Sequence, residues 1–163
     1  MSKTVKEKPA PAKLTLTGDR GFRVERVVHA SRERVWRAFT DPVQLAQWWG
    51  RGNELVIEKF ELERGGHWRF VEYAGGQEHG FEGRFGDIVA PESVVQTFEW
   101  DGMPAYPCRE TMRLEDLGDG RTRLHVRTTF FTAQERDGMV QSGMEDGMNQ
   151  SYAALDRVLE GMV

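Results

Sequence analysis

Residues 132–163 read TAQERDGMVQSGMEDGMNQSYAALDRVLEGMV. Val140, Met144, Met148, Tyr152, Leu155, Leu159 and Met162 recur there at steps of three and four, which places them on one stripe of a helix. Thr132 followed by Glu135 reads as a capping box, each side chain satisfying a backbone N–H left free at a helix start. Asp137-Gly138 predicts a short turn, with one long helix from about Gly138 onward. An apolar stripe of that length needs a cover, and the chain upstream of it reads as a sheet built to wrap it. Gly138, Gly143 and Gly147 are poor helix formers, each costing roughly 1 kcal/mol against alanine. With Met139, Met144 and Met148 beside them, they support two readings. One is close packing of helix on sheet; the other is a hollow lined by flexible methionines.

Upstream, Phe22, Val24 and Val28 alternate with Arg23, Glu25 and His29, which predicts a first strand. Ser31 caps a helix whose Val35, Trp36 and Phe39 share a face. Asp41-Pro42 opens a second helix with Leu45, Trp48 and Trp49 as its apolar residues, and Gly50 suits its end. From Glu54 the period changes to two. Strands are expected near Leu55–Leu62, His67–Tyr73, Glu78–Val89, Val94–Asp101, Arg109–Leu117 and Arg121–Phe131, separated by Gly- and Pro-rich breaks. Short connections imply an antiparallel meander of about seven strands, in an α+β arrangement with the helices on one face. Trp68, Phe70, Phe81, Phe85, Phe98, Trp100 and Leu124 fall on the buried face. Arg69, Glu82, Arg84, Glu99, Arg123 and Arg127 fall on the wet one. Gly83 and Gly86 inside a long strand predict a bend that curls the sheet, so a cavity can remain between it and the helix.

At 163 residues the chain reads as one domain, residues 14–163, preceded by a disordered tail at 1–13 rich in Lys, Pro and Ala. The formal charge of −4 offers no basic field for nucleic acid or anionic membrane. No apolar run approaches the roughly 20 residues of a membrane span, and no signal core marks the chain for export. The single cysteine, Cys108, excludes an intramolecular disulfide and suits a reducing, cytoplasmic setting.

Particular motifs carry a family resemblance. They are Ala30-Ser31-Arg32-Glu33-Arg34-Val35-Trp36, then Thr40-Asp41-Pro42 through Trp48-Trp49-Gly50, then Arg64-Gly65-Gly66-His67-Trp68-Arg69. Glu135-Arg136-Asp137-Gly138-Met139 through Gly143-Met144-Glu145 complete the set. Together they resemble the START-like superfamily, also called SRPBCC, and within it the bacterial proteins similar to the activator of heat-shock-protein-90 ATPase. The resemblance implies a helix-grip fold over nearly everything after the tail, and allows a chaperone as partner. Gly50 is commonly followed by proline in that group; here Arg51-Gly52 follows, so the loop at the cavity mouth is expected to differ. Fold alone does not fix function.

The chemistry-bearing residues are sparse. His29, His67, His79, His125 and Cys108 show no zinc-motif spacing, so no metal is expected. No motif calls for a cofactor, and no nucleophile elbow or phosphate-cradling loop occurs. His79 shares a strand face with Phe81 and Phe85 and is a candidate general acid or base, with Glu72 or Glu110 as partner. The alternative is a histidine at a wet strand end. The Trp48-Trp49 pair is a candidate pocket gate; the alternative is that at least one of its indoles is core.

Three functions stand. The leading one is a binding protein whose cavity, bordered by Trp49, Trp68, Phe70, Phe81, Phe85, Trp100, Met144, Met148 and Tyr152, takes a small hydrophobic molecule. The second is a partner-binding modulator of a chaperone ATPase. The third is a cyclase or hydratase working through His79 and a carboxylate. A monomer or a homodimer is compatible with each.

Overall fold

The structure, a computed structural model, describes residues 8–161. The period-two segments form the strands β1 (Lys13–Thr17), β2 (Gly21–Val28), β3 (Glu54–Phe60), β4 (His67–Ala74), β5 (Gln77–Val89), β6 (Ser93–Trp100), β7 (Cys108–Asp116) and β8 (Thr122–Thr129). They make one antiparallel sheet in the order β1-β2-β8-β7-β6-β5-β4-β3. Eight strands replace the expected seven. The addition is β1, whose KLTLT offers only five residues, with Leu16 exposed, and so gives little apolar signal. It pairs with β2, Leu14 opposite Val24. The chain is tied down even before residue 14: Ala12 is buried and its N–H donates to Asn149 Oδ1 at 3.0 Å. The first part of the expected tail, residues 1–7, lies outside the described residues.

Helices α1 (Arg32–Thr40) and α2 (Pro42–Leu45) follow β2. The Ser31 hydroxyl accepts from the Arg34 N–H. Asp41 serves both helices: its N–H donates to the Arg37 carbonyl, and its carboxylate accepts from the Val43 N–H at 2.9 Å. The second helix is shorter than expected. It ends at Leu45, and Trp48 and Trp49 ride on the turns that follow.

The C-terminal segment corrects the reading of one long helix. Thr132 and Glu135 form the expected capping box. The chain then runs helically through Asp137-Gly138 as α3 (Ala133–Gln141), breaks, and resumes as α4 (Met144–Gly161). The break falls at Ser142-Gly143. The Ser142 hydroxyl donates to the Met139 carbonyl at 2.6 Å, and Gly143 takes φ +86°, a left-handed conformation that only glycine adopts freely. Met162, the last residue of the expected stripe, lies outside the described residues.

The sheet curls around α4. The β5–β6 register shifts between Phe85 and Ile88, where Gly86 was expected to bend the strand. At Gly83 a side chain is excluded outright, since a Cβ would overlap the Thr97 carbonyl. The buried face packs Val24, Val28, Val35, Leu114, Leu124 and Leu155 into the core. The outer face carries ion pairs instead, Arg69 alone bonding Glu58, Glu82 and Asp101. Two ties fix α4 across the open ends: Arg26 forks onto Asp156 at 2.8 and 2.7 Å, and Arg34 donates to the Leu159 carbonyl at 2.6 Å.

Candidate functional site

The curled sheet does not close on the helices. A cavity of about 560 Å³ remains between its concave face and the α3–α4 segment. Strands β4, β5 and β6 supply Trp68, Phe70, Phe81, Phe85 and Trp100 to its wall; α4 supplies Met144, Met148 and Tyr152. The tryptophan pair divides as adjacent positions on a turn must. Trp48 is buried against α1, with its indole N–H donating to the Ala38 carbonyl at 2.8 Å. Trp49 is the less buried of the two and stands in the cavity wall, edge-on to Phe81 and Phe70 with centroids 4.9 and 5.1 Å apart. Edge-to-face contacts of this kind hold an aromatic wall in a defined shape.

Gly147 borders the same space, and a Cβ there would sit 3.3 Å from Arg51 Cδ. Its missing side chain therefore makes room for an arginine. Gly143 borders the space too, but through the helix break and not from a helical face.

One side of the cavity is built from Arg51. Arg51 has φ +59°, and its N–H donates to Ser151 Oγ at 3.0 Å, while that hydroxyl donates to the Trp49 carbonyl at 2.8 Å. Its guanidinium forks onto Glu72 at 2.8 and 2.7 Å, and Asn53 adds a bond at 3.3 Å. Burial alone would raise the Glu72 carboxyl. The hydrogen bonds from Arg51 and Asn53 and the Arg51 charge outweigh it, and Glu72 is held below the usual carboxylate range. This corrects one expectation. Glu72 faces His79 across the β4–β5 register and both line the cavity, but both Glu72 oxygens are engaged by Arg51. A carboxylate so held is a poor base, and among the described residues no hydrogen bond joins it to His79.

Glu110 is placed differently. It lies on the cavity floor, and burial pushes its carboxyl up to about 7, with only the neighbouring Gln96 pulling the other way. Gln96 on β6 and Thr128 on β8 are its partners in register and line the cavity with it. A polar row thus crosses three strands between Phe85 and Phe22, which are the next partners on either side. Neither Gln96 nor Thr128 was singled out in the sequence. The signal was there: Gln96 lies between Val94 and Phe98, and Thr128 between Val126 and Phe130, each a polar step on an otherwise apolar strand face. Cys108 also lines the cavity; it is a buried free thiol, pushed up by burial and by the Glu110 charge.

Among the described residues no group of His, Cys, Asp and Glu could hold a metal ion, and no helix is long and apolar enough to cross a membrane.

Solved structures with the same helix-grip architecture cover most of the chain. A crystal structure of a protein from Rhodobacter sphaeroides is 25% identical, with a TM-score of 0.83, covering 93% of this chain and 99% of its own. A solution structure of a protein from Arthrobacter aurescens is 25% identical, with a TM-score of 0.82 and 91% of each chain covered. A crystal structure of a protein from Chromobacterium violaceum is 28% identical, with a TM-score of 0.73, covering 86% of this chain and 98% of its own. Comparison with curated protein sequences gives no match. The fold is that of the START-like, or SRPBCC, superfamily. Within it, residues 29–160 match the model for the Activator of Hsp90 ATPase homolog 1-like protein, and the chain belongs to that family.

Proposed function

We propose that this protein binds a small hydrophobic molecule in the cavity between α3–α4 and the sheet. The observation that carries the reading is the cavity itself. Its about 560 Å³ is the size of a small-molecule site, and its walls are aromatic and methionine side chains with few polar groups. A chaperone partner is the reading a filled core would favour, and the core is not filled. An enzyme working through His79 would have to use Glu110 as its carboxylate, since Glu72 is engaged by Arg51. The buried free thiol suits work in a reducing compartment such as the cytoplasm.

The test is a titration with N-phenyl-1-naphthylamine, whose emission rises in apolar surroundings, beside Met148→Trp, which puts an indole into the space. We expect saturable one-to-one binding, weakened by about tenfold or more in Met148→Trp, equivalent to about 1.4 kcal/mol. Absence of saturable binding, or equal affinity in a folded Met148→Trp, would overturn the reading.

A further inference from the structure

We propose that the row Gln96–Glu110–Thr128 docks a protonated primary amine, so that the molecule this cavity takes is an apolar or aromatic body bearing one ammonium group. This rests on the binding reading above and specifies the ligand's polar end.

The argument begins with charge. Glu110 is an acid on the floor of an aromatic-walled space, and the cations around that space are committed elsewhere. Arg51 is forked onto Glu72 at the mouth, and Arg26, whose guanidinium lies 5.6 Å from the centre of the Tyr152 ring, is forked onto Asp156. The environment of Glu110 contains burial and the Gln96 amide but no balancing positive charge. A carboxylate held largely out of bulk water without a counter-charge is costly, and a ligand that brings the cation removes the cost.

The second part is geometry. An ammonium carries three N–H donors and no acceptor. Across β6, β7 and β8 the row offers a carboxylate, an amide oxygen and a hydroxyl oxygen at adjacent register positions, one acceptor for each donor. The third part is the wall. Phe85 and Phe22 end the row, and aromatic faces attract a cation through their quadrupole. A ligand anion meets the opposite: an acid on the floor, and a lining arginine, Arg51, already forked onto Glu72.

Occupancy is then coupled to pH. The titratable groups that share the space with Glu110 are Cys108 beside it on β7, Tyr152 from α4, His79 from β5, and the Arg51–Glu72 pair at the mouth. Glu135 of α3 acts on Cys108 from outside it. Tyr152 and Cys108 are both pushed up and stay neutral near pH 7, and Glu72 stays ionised within its pair. Glu110 holds a proton until about pH 7, and an ammonium that pairs with it releases that proton.

The experiment uses three molecules with one body: 4-phenylbutylamine, 4-phenylbutanol and 4-phenylbutyrate, titrated by calorimetry into the full chain and into Glu110→Gln. The amine stays protonated throughout, its pKa being near that of lysine, about 10.4. We expect it to bind at least about tenfold tighter than the alcohol at pH 8, with the butyrate weakest. Its affinity should rise by up to about tenfold per pH unit between pH 5.5 and 7, the signature of one proton released. Both the preference and the slope should vanish in Glu110→Gln while alcohol binding persists. Alcohol binding as tight as the amine, or an amine preference unchanged in Glu110→Gln, would overturn the inference and leave the binding reading standing. So would failure of the amine to bind where the naphthylamine probe does. Failure of all four compounds would remove both.

Discussion

Between Ser151 and Leu159, α4 buries Tyr152, Ala154, Leu155 and Leu159, and Leu155 has no exposed surface at all. One to two turns earlier the same helix offers Met144, Gly147 and Met148 to open space. The sheet beneath changes with it. Val28, Leu114 and Leu124 join the closed core with Leu155, whereas the cavity side carries large aromatic side chains, Trp49 meeting Phe70 and Phe81 edge to face. One element therefore anchors the fold at one end and roofs a cavity at the other. The difference comes from side-chain shape: branched aliphatic residues interlock to crystal-like density, whereas glycine leaves a gap and methionine bends around it.

The contrast can be broken or sharpened by substitution. Leu155→Ala carries the largest expected effect, a loss of about 2–5 kcal/mol, because a closed site leaves a cavity when a side chain is cut back. A denaturant melt checks it, and a loss as small as that of the cavity-side variant described below would erase the distinction between the halves.

Next comes the floor of the cavity. Glu110 is raised in the folded chain from an ordinary carboxyl value to about 7. Its contribution to stability is complete below the unfolded value of about 4.5 and is lost as pH rises through about 7. Native stability relative to Glu110→Gln should therefore fall by on the order of 1–3 kcal/mol between pH 4.5 and 7.5. A flat difference across that range would mean that the surroundings of Glu110 do not disfavour its carboxylate.

Gly143→Ala follows, with an expected loss of about 1–2 kcal/mol from the left-handed conformation forced on alanine. No atom stands within 4 Å of a Cβ there, so the effect is one of backbone alone. A neutral outcome by thermal melting would mean that α3 and α4 can join into one straight helix. Smallest is Met148→Ala, below about 1 kcal/mol, since this side chain already borders empty space and little contact is removed.

Much of this was legible in the sequence, because alternation and helical period report which face of an element is apolar. That is how Trp68, Phe70, Phe81, Phe85 and Trp100 could be assigned to one wall before any strand was placed. What escaped has physical causes. Gly138, Gly143 and Gly147 look equivalent in sequence, yet of the three only Gly143 takes a positive φ, at the turn that the Ser142 hydroxyl closes onto Met139. The Arg51–Glu72 pair spans 21 positions and two unrelated elements, so no local pattern announces it. Glu72 and Glu110 looked alike as acids on apolar faces; the arginine that reaches one and not the other makes them opposites. The Gln96–Glu110–Thr128 row needed the strand register, which one strand's periodicity does not contain.

The Ser151 hydroxyl holds two things at once, the carbonyl of Trp49 and the N–H of Arg51. One oxygen on α4 is thus the pivot for an indole in the cavity wall and for the arginine latched at the mouth. Wall, latch and helix form a single linkage, like a lid whose hinge pin also carries the bolt. The position of α4 is thereby tied through one oxygen to the backbone on both sides of Gly50, so wall and mouth share a single anchor on the helix.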